Sequence, residues 1–323
     1  MSRYAVPLLD PSKEALKEIL GTFSAPVSYC FGYGSGVFSQ GVSQRKKNTQ
    51  IDLILGVQDS EAWHRMNIEQ NPHHYSALKY LGPSAVSYVQ RNLGAGVYFN
   101  PFCVIQGHHV KYGVVELDDL CTDLEQWQTL YLAGRMHKPV QIVKSSPVIE
   151  QSQQRNLLGA TAVALLLLPE QFSEQDLYMK LAGVSYMGDV RMALAENPNK
   201  VKNIVNNQFG LFRKLYSPIL SHFPLEYSAK DALIPSVGPD AKGVAFSQSL
   251  AKADRRKLFE FLPEKFRDKI GFSEEKLRLR VSRAVLTTVK RPSFTQSAKG
   301  LLTAGLKKSI AYSSEKLVKR WAK

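Results

Sequence analysis

The spacing of apolar and polar positions divides this chain near residue 145. Before that point, short apolar runs alternate with amphipathic stretches. After it, strand patterns nearly vanish and a helical period dominates. Asp10-Pro11-Ser12 followed by Lys13 to Gly21 gives an N-cap, a proline at the helix start and a glycine at its end, which predicts a helix. Val27 to Phe31 reads as a strand running into a Gly-rich turn. Ile51 to Val57 is apolar except for Asp52, the pattern of a central strand buried on both faces. Helices are predicted over Ser60–Glu69, capped by Asp59, over Tyr75–Asn92 and over Asp118–Ala133. Val97–Gln106 and His109–Leu117 form a hairpin around Gly107-His108, and Val140–Val143 adds a short strand. In the second half, helices are expected at Gln153–Leu168, Ser173–Ala182, Asp189–Glu196, Val201–Leu220 and Lys252–Phe261. A long loop is expected over Leu233–Gly243. The reading is therefore an α/β (α+β) first part, ending between Ser145 and Glu150, and a mostly helical second part.

Charge sharpens the picture of the end of the chain. The net charge is +14, but Ala251 to Lys323 alone hold 20 Lys and Arg against 7 Asp and Glu, leaving 22 against 21 in all that precedes. From Phe294 on, Leu302, Leu306, Ile310, Leu317 and Trp321 form one helical stripe, with Lys299, Lys307, Lys308, Lys316, Lys319, Arg320 and Lys323 off it. Such a helix suits an anionic lipid surface; the alternative is packing on its own domain with a solvated basic face, and the charge excess, beyond what solubility needs, favours the lipid surface. The apolar run Ala160–Pro169 is about half the ~20 residues of a membrane span and reads as a core helix. Cys30, Cys103 and Cys121 lack metal-site spacing and fit a reducing compartment. The first residues lack the pattern of a signal peptide and make a poor mitochondrial presequence.

The candidate chemistry lies in Phe31 to Val57. Gly34-Ser35-Gly36 would let backbone N–H groups approach a phosphate, helped by a helix dipole if a helix starts near Val37. Asp52 on the following strand would hold a metal. The order strand, Gly-Ser turn, interval, strand with Asp resembles the polymerase-β-like nucleotidyltransferases. That resemblance implies a second carboxylate at alternate spacing on the same face, where this chain has Ile54, so Asp59 and Glu116 are the other candidate ligands. Further motifs narrow this: Tyr33-Gly34-Ser35-Gly36-Val37-Phe38, Ala62-Trp63-His64, His74-Tyr75-Ser76, Gly94-Ala95-Gly96, Lys111-Tyr112-Gly113-Val114, Tyr131 to Val140 and Tyr186-Met187-Gly188-Asp189 with Arg191. Together they resemble the mitochondrial phosphatidate cytidylyltransferases, the translocator assembly and maintenance family.

That resemblance implies a nucleotidyltransferase domain over residues 1–148 with a mixed sheet and flanking helices. A winged-helix-like domain follows over 149–290, and a basic amphipathic membrane-binding tail over 291–323. It implies Mg2+-dependent transfer from CTP to phosphatidic acid, at the matrix face of the mitochondrial inner membrane, as a peripheral protein. Nucleic acid is not expected as a partner. In this reading Asp52 and Ser35 are catalytic, and Tyr33, Gly34, Ser35, Lys111 and Lys138 bind CTP. Arg135 and Arg191 bind phosphatidate, and Asp52 and Asp59 bind the metal. Lys46 and Lys47 are less favoured cations, His74 is read as structural, and Asp189 as a cap or a partner of Arg191. An RNA-directed nucleotidyltransferase and a non-catalytic import assembly factor are the alternative readings.

Overall fold

The computed structural model describes residues 12–38, 49–194, 198–227 and 244–304. Helix α1 (Lys13–Gly21) begins where the Ser12 hydroxyl accepts from the Ala15 N–H, and it buries Leu16 and Ile19. Strands β1 (Tyr29–Tyr33) and β2 (Ile51–Val57) pair antiparallel. Helix α2 (Ser60–Gln70) follows, and then α3 (Pro83–Asn92). The helix expected over Tyr75–Asn92 is thus shorter, because Gly82 (φ +88°) and Pro83 stop a 3-10 turn at Leu81 and restart the chain as α3. Strands β3 (Val97–Ile105) and β4 (His108–Glu116) form the expected hairpin. Next come α4 (Leu117–Gln126), the four-residue α5 (Ala133–Met136) and β5 (Gln141–Lys144). The sheet order is β3-β4-β2-β1-β5, with β2 and β4 parallel and the other pairs antiparallel. A mixed sheet with flanking helices is therefore present, as expected.

Period-2 alternation gives this sheet two different faces. One face carries Leu53, Leu55, Val110, Tyr112 and Val114 into a core shared with α1 and α2. The other carries Phe31, Ile54, Val97, Phe99 and Val115 into a core continuous with the second half. At the centre of that core lies α6 (Pro147–Leu167): its second half, from Leu157, is Ala- and Leu-rich, apolar all round and buried, whereas its first half exposes Glu150, Gln151 and Arg155. No helix among the described residues is long and apolar enough to cross a membrane.

The rest comprises β6 (Gln171–Ser173), α7 (Glu174–Val184), α8 (Val190–Leu194), α9 (Lys200–Asn207), α10 (Phe209–Leu220), β7 (Leu225–Tyr227), β8 (Ala245–Gln248), α11 (Lys252–Glu260), α12 (Glu264–Ile270) and α13 (Leu277–Ala304). Strands β6, β8 and β7 make a small antiparallel sheet that the hydrophobic pattern did not predict. Three or four residues are too few to establish a period of two. The single helix expected over Val201–Leu220 is broken at Gln208, giving α9 and α10. The loop expected over Leu233–Gly243 lies outside the described residues, as do Lys46, Lys47 and the stripe positions Leu306 to Trp321.

Helix α13 changes the reading of Lys299. Its side chain is buried, not part of a solvated basic face, and its ammonium donates to the Gln90 carbonyl (2.9 Å) and the Leu93 carbonyl (2.6 Å) at the end of α3. Gln296 accepts from the Ala95 N–H (3.0 Å) and donates to the Val97 carbonyl (3.2 Å). These two side chains fasten α13 to the corner between α3 and β3.

Candidate functional site

The Gly-rich turn and the acidic strand meet as the spacing suggests. Tyr33 is the register partner of Asp52 across β1 and β2, so both project to the same sheet face. Gly34 (φ +79°) takes the left-handed conformation that favours glycine, and a Cβ there would lie 3.7 Å from Asp52 Oδ2. Gly36 is required for a different reason: a Cβ would fall 1.9 Å from the Gln50 carbonyl oxygen, which is backbone and cannot yield. The Val37 and Phe38 N–H groups both return to the Gly34 carbonyl, at 3.1 and 3.0 Å. That is one closed turn rather than a helix start, so no helix dipole at Val37 supports the anion site. Ser35 is exposed on the turn.

Strand β4 supplies the first cation. Lys111 pairs with Asp52 in the parallel register, and its Nζ stands 3.5 Å from Asp52 Oδ1 and 4.5 Å from the centre of the Phe99 ring. The segment after α4 supplies the next. There the Asp123 carboxylate accepts from the N–H groups of Thr129, Leu130, Leu132 and Ala133 and from the Thr129 hydroxyl, all within 3.0 Å. This one buried anion ends the helix expected to continue to Ala133. It also holds Leu130 at positive φ, and Trp127, whose N–H donates to the Asp123 backbone carbonyl, ends α4 in the same left-handed region, a conformation unusual for such residues. Asn156 of α6 braces the same segment, accepting from Trp127 Nε1 (2.8 Å) and donating to the Ala133 carbonyl (3.1 Å).

The loop so formed presents Tyr131, Arg135 and Lys138. The Arg135 guanidinium lies 4.9 Å from the Tyr33 ring centre and 4.3 Å from that of Tyr131, and it donates to the Tyr131 hydroxyl at 2.9 Å. Lys138 donates to the Gly134 carbonyl and to Ser185 Oγ (2.7 Å), and its ammonium sits 5.0 Å from the Tyr186 ring centre. Lys200, from α9, is 5.4 Å from the same ring. Burial, with Arg135 and Lys200 nearby, drives the Lys138 proton affinity well below the ordinary lysine range. His137 is buried and held neutral, pushed down to about 3 by burial and Lys138, so it belongs to the scaffold.

The second half contributes Asp189 and Arg191. Arg191 Nε and Nη2 grip the Asp189 carboxylate, the closest contact being 2.6 Å, and the Arg191 guanidinium is 5.8 Å from the Tyr131 ring centre. Burial alone would raise the Asp189 carboxyl, but the Arg191 contacts hold it below its usual range. The Val190 N–H donates to Ser293 Oγ, so α13 backs this segment.

Of the residues proposed from sequence, Tyr33, Gly34, Asp52, Lys111, Arg135, Lys138 and Arg191 thus come together. Asp59 and Glu116 do not. Asp59 lies beyond the far end of β2 from Asp52, about 20 Å away along the strand, and its carboxylate accepts from the Ala62 N–H as the cap of α2. Glu116, in register with Val57 at that far end, accepts from the Ser60 hydroxyl (2.7 Å) and pairs with Arg91 (3.5 Å). Neither shares a metal with Asp52, because the strand itself separates them. Among the described residues no three His, Cys, Asp or Glu side chains gather to hold a metal. His74 is structural, bonded to the Tyr112 hydroxyl at 2.9 Å on the opposite sheet face. The sequence reading missed Tyr131, Lys200 and Asp123. Tyr131 stood inside a quoted motif, and the aromatic beside an Arg-x-His-Lys run was its available signal.

A family described as "Phosphatidate cytidylyltransferase, mitochondrial" matches residues 16–319. The protein of that name from Mus musculus is 40% identical over 331 residues, covering 98% of this chain and 97% of its own. Those from Schizosaccharomyces pombe and Saccharomyces cerevisiae are each 38% identical, covering 95% and 97% of this chain and 84% and 72% of theirs. This chain belongs to the mitochondrial phosphatidate cytidylyltransferase family. The family likeness read from the motifs therefore holds along nearly the whole chain. The geometry adds what the motifs could not: family segments far apart in sequence, around residues 33, 52, 111, 135 and 191, line one face of one sheet.

Proposed function

We propose that this chain is a phosphatidate cytidylyltransferase, converting CTP and phosphatidate to CDP-diacylglycerol and diphosphate, the precursor for phosphatidylglycerol and cardiolipin. The observation that carries this reading is the gathering of Lys111, Arg135, Lys138, Arg191 and Lys200 around Asp52 and the Gly34–Ser35 turn. Two phosphorylated substrates bring several negative charges to one place, and a cationic pocket is what would hold them. The lipid phosphate is already anionic near neutral pH, so its oxygen needs little general-base help. That oxygen forms the new bond to the α-phosphorus of CTP as the bond to the bridging oxygen of the departing diphosphate breaks. The residues named here align the two substrates and offset the charge. Arg135 and Arg191 are assigned to the lipid phosphate, and Lys111, Lys138, Tyr33 and the Gly34–Ser35 turn to CTP.

Asp52 also fits a Mg2+ ion. This metal keeps several waters and commonly takes only one or two carboxylates plus substrate phosphates, and Asp52 faces the place where the phosphates would lie. When bound, the ion supplies neutralisation of charge on the phosphate oxygens. We place the enzyme at the matrix face of the mitochondrial inner membrane, as a peripheral protein. The relatives are named mitochondrial, and α13, leading into the basic tail, exposes Leu279, Leu286 and Phe294 among Arg278, Arg283, Lys290 and Arg291, with no acidic residue along its length.

The test is incubation of the full chain with labelled CTP, Mg2+ and either phosphatidate vesicles or RNA. Labelled CDP-diacylglycerol is expected, and Asp52→Asn should lower turnover by about a thousandfold, ~4 kcal/mol of transition-state stabilisation. Label on RNA instead, or full activity in Asp52→Asn, refutes the assignment.

A further inference from the structure

Three arginines outside α13 show how this fold uses a guanidinium edge. Arg191 spends Nε and Nη2 on Asp189, and Arg213 spends the same two on Glu174 at 2.8 and 2.6 Å. Arg135 differs. Its Nη2 donates to the Tyr131 hydroxyl, and its Nε is buried with no hydrogen-bond partner among the described residues. The plane is nevertheless fixed, with aromatic rings of Tyr33 and Tyr131 at 4.9 and 4.3 Å. A buried donor without an acceptor is costly, and a fold that rigidifies such a donor holds it for a ligand. A phosphate oxygen is the acceptor that a guanidinium edge fits best.

We propose that Tyr33, Arg135 and Tyr131 form a stacked phosphate clamp, in which Tyr131 is a positioning residue that fixes the Arg135 guanidinium so that its Nε edge meets a substrate phosphate. Tyr131 reaches this role through Asp123, which pins the N–H groups on both sides of it. Burial would raise the Tyr131 phenol, but Arg135, Arg191 and Lys111 together pull it below its ordinary range, which marks the clamp as electropositive. The assignment of Arg135 to the lipid phosphate makes phosphatidate the expected substrate of the clamp, and the experiment separates it from CTP. The inference rests on the proposed cytidylyltransferase reading for the identity of the phosphate.

The experiment compares the full chain with Tyr131→Phe, Arg135→Lys, Arg135→Gln and Tyr131→Phe/Arg135→Gln. Calorimetric titrations with CTP alone and with dioctanoyl phosphatidate alone run beside steady-state kinetics. Tyr131→Phe keeps the ring and removes only the hydroxyl, so it should weaken one of the two substrates about five- to tenfold in affinity and KM, with kcat within about twofold. Arg135→Gln should weaken the same substrate about a hundredfold, and Arg135→Lys nearly as much, because an ammonium has no edge. The double variant should be no worse than Arg135→Gln, since Tyr131 acts through Arg135. Additive losses in the double variant, or wild-type affinity for both substrates in Arg135→Lys, overturn the clamp. Arg135→Lys decides the matter even if Tyr131→Phe fails to fold. Binding that depends on the clamp in a protein with no turnover would refute the cytidylyltransferase reading and leave the clamp standing. CDP-diacylglycerol formation with kcat/KM unchanged for both substrates in every variant would do the reverse.

Discussion

Asp123→Asn tests whether the site loop is held by one buried carboxylate. Asp123 is 6% exposed; its Oδ1 accepts from the Thr129 N–H, the Thr129 hydroxyl and the Leu130 N–H, and its Oδ2 from the N–H groups of Leu132 and Ala133. An asparagine keeps one acceptor oxygen. If that oxygen takes the place of Oδ1, the amide nitrogen faces two N–H donors and both bonds are lost. Each bond to a charged acceptor is worth about 1.5–3 kcal/mol, so the loss of two should cost about 3–6 kcal/mol. At about 2–4 °C per kcal/mol for a chain of this general size, the melting temperature should fall by roughly 10 °C. Turnover should fall with it, because the same loop carries Tyr131 and Arg135. Thermal unfolding followed by circular dichroism, with activity measured well below the transition, checks both. A fall of less than about 2 °C with turnover intact would show that the loop holds its shape without Asp123.

Two further outcomes follow from α13. Burial lowers the Lys299 ammonium to about 7, below the unfolded value of about 10.4, so between these pH values the unfolded chain binds more protons and stability rises with pH; wild type should gain on Lys299→Met as pH rises from 7 to 10, and a flat or falling difference in urea unfolding refutes this. Deleting residues 305–323, a cut that spares Gln296 and Lys299, should reduce sedimentation with vesicles containing phosphatidate or cardiolipin, and unchanged sedimentation would deny the tail its membrane role.

What was legible in the sequence followed from local chemistry. The Asp52 strand showed itself because six apolar neighbours flank one carboxylate, and Asp59 was legible as a cap because helix starts carry their own signature. What was illegible depended on contacts across the fold. Nothing local says that Asp123 will draw the 129–133 N–H groups away from a helix, or that Lys299, on the basic side of a helical stripe, will spend its ammonium on the end of α3 about 200 residues earlier in sequence. Strands β6, β7 and β8 are likewise defined only by one another. The site itself was half legible. The glycines and Asp52 are neighbours through one hairpin-like pairing, whereas Tyr131 and Lys200 join through loop and helix packing that leaves no periodic trace.

Ile54 shows why a second carboxylate is missing beside Asp52. It shares the sheet face of Asp52, but two residues further along that face is fully buried in a core with Phe31, Val97 and Phe99. A carboxylate there would be desolvated among rings and aliphatic chains without a partner, at a cost of several kcal/mol. The sheet therefore has room for a metal ligand at its edge and none one step inward. On the proposed reaction, the charge that a second carboxylate-held ion would offset falls instead to fixed cations. Arg191 is paired with Asp189, Lys111 with Asp52, and Lys138 is held where its proton is disfavoured, so Arg135 carries most of that task. Lys111 stands 3.5 Å from Asp52, and Arg135 is stacked next to the Gly34 turn through Tyr33. On the proposed reaction, these fixed cations are what let Asp52 serve as the one carboxylate of the site.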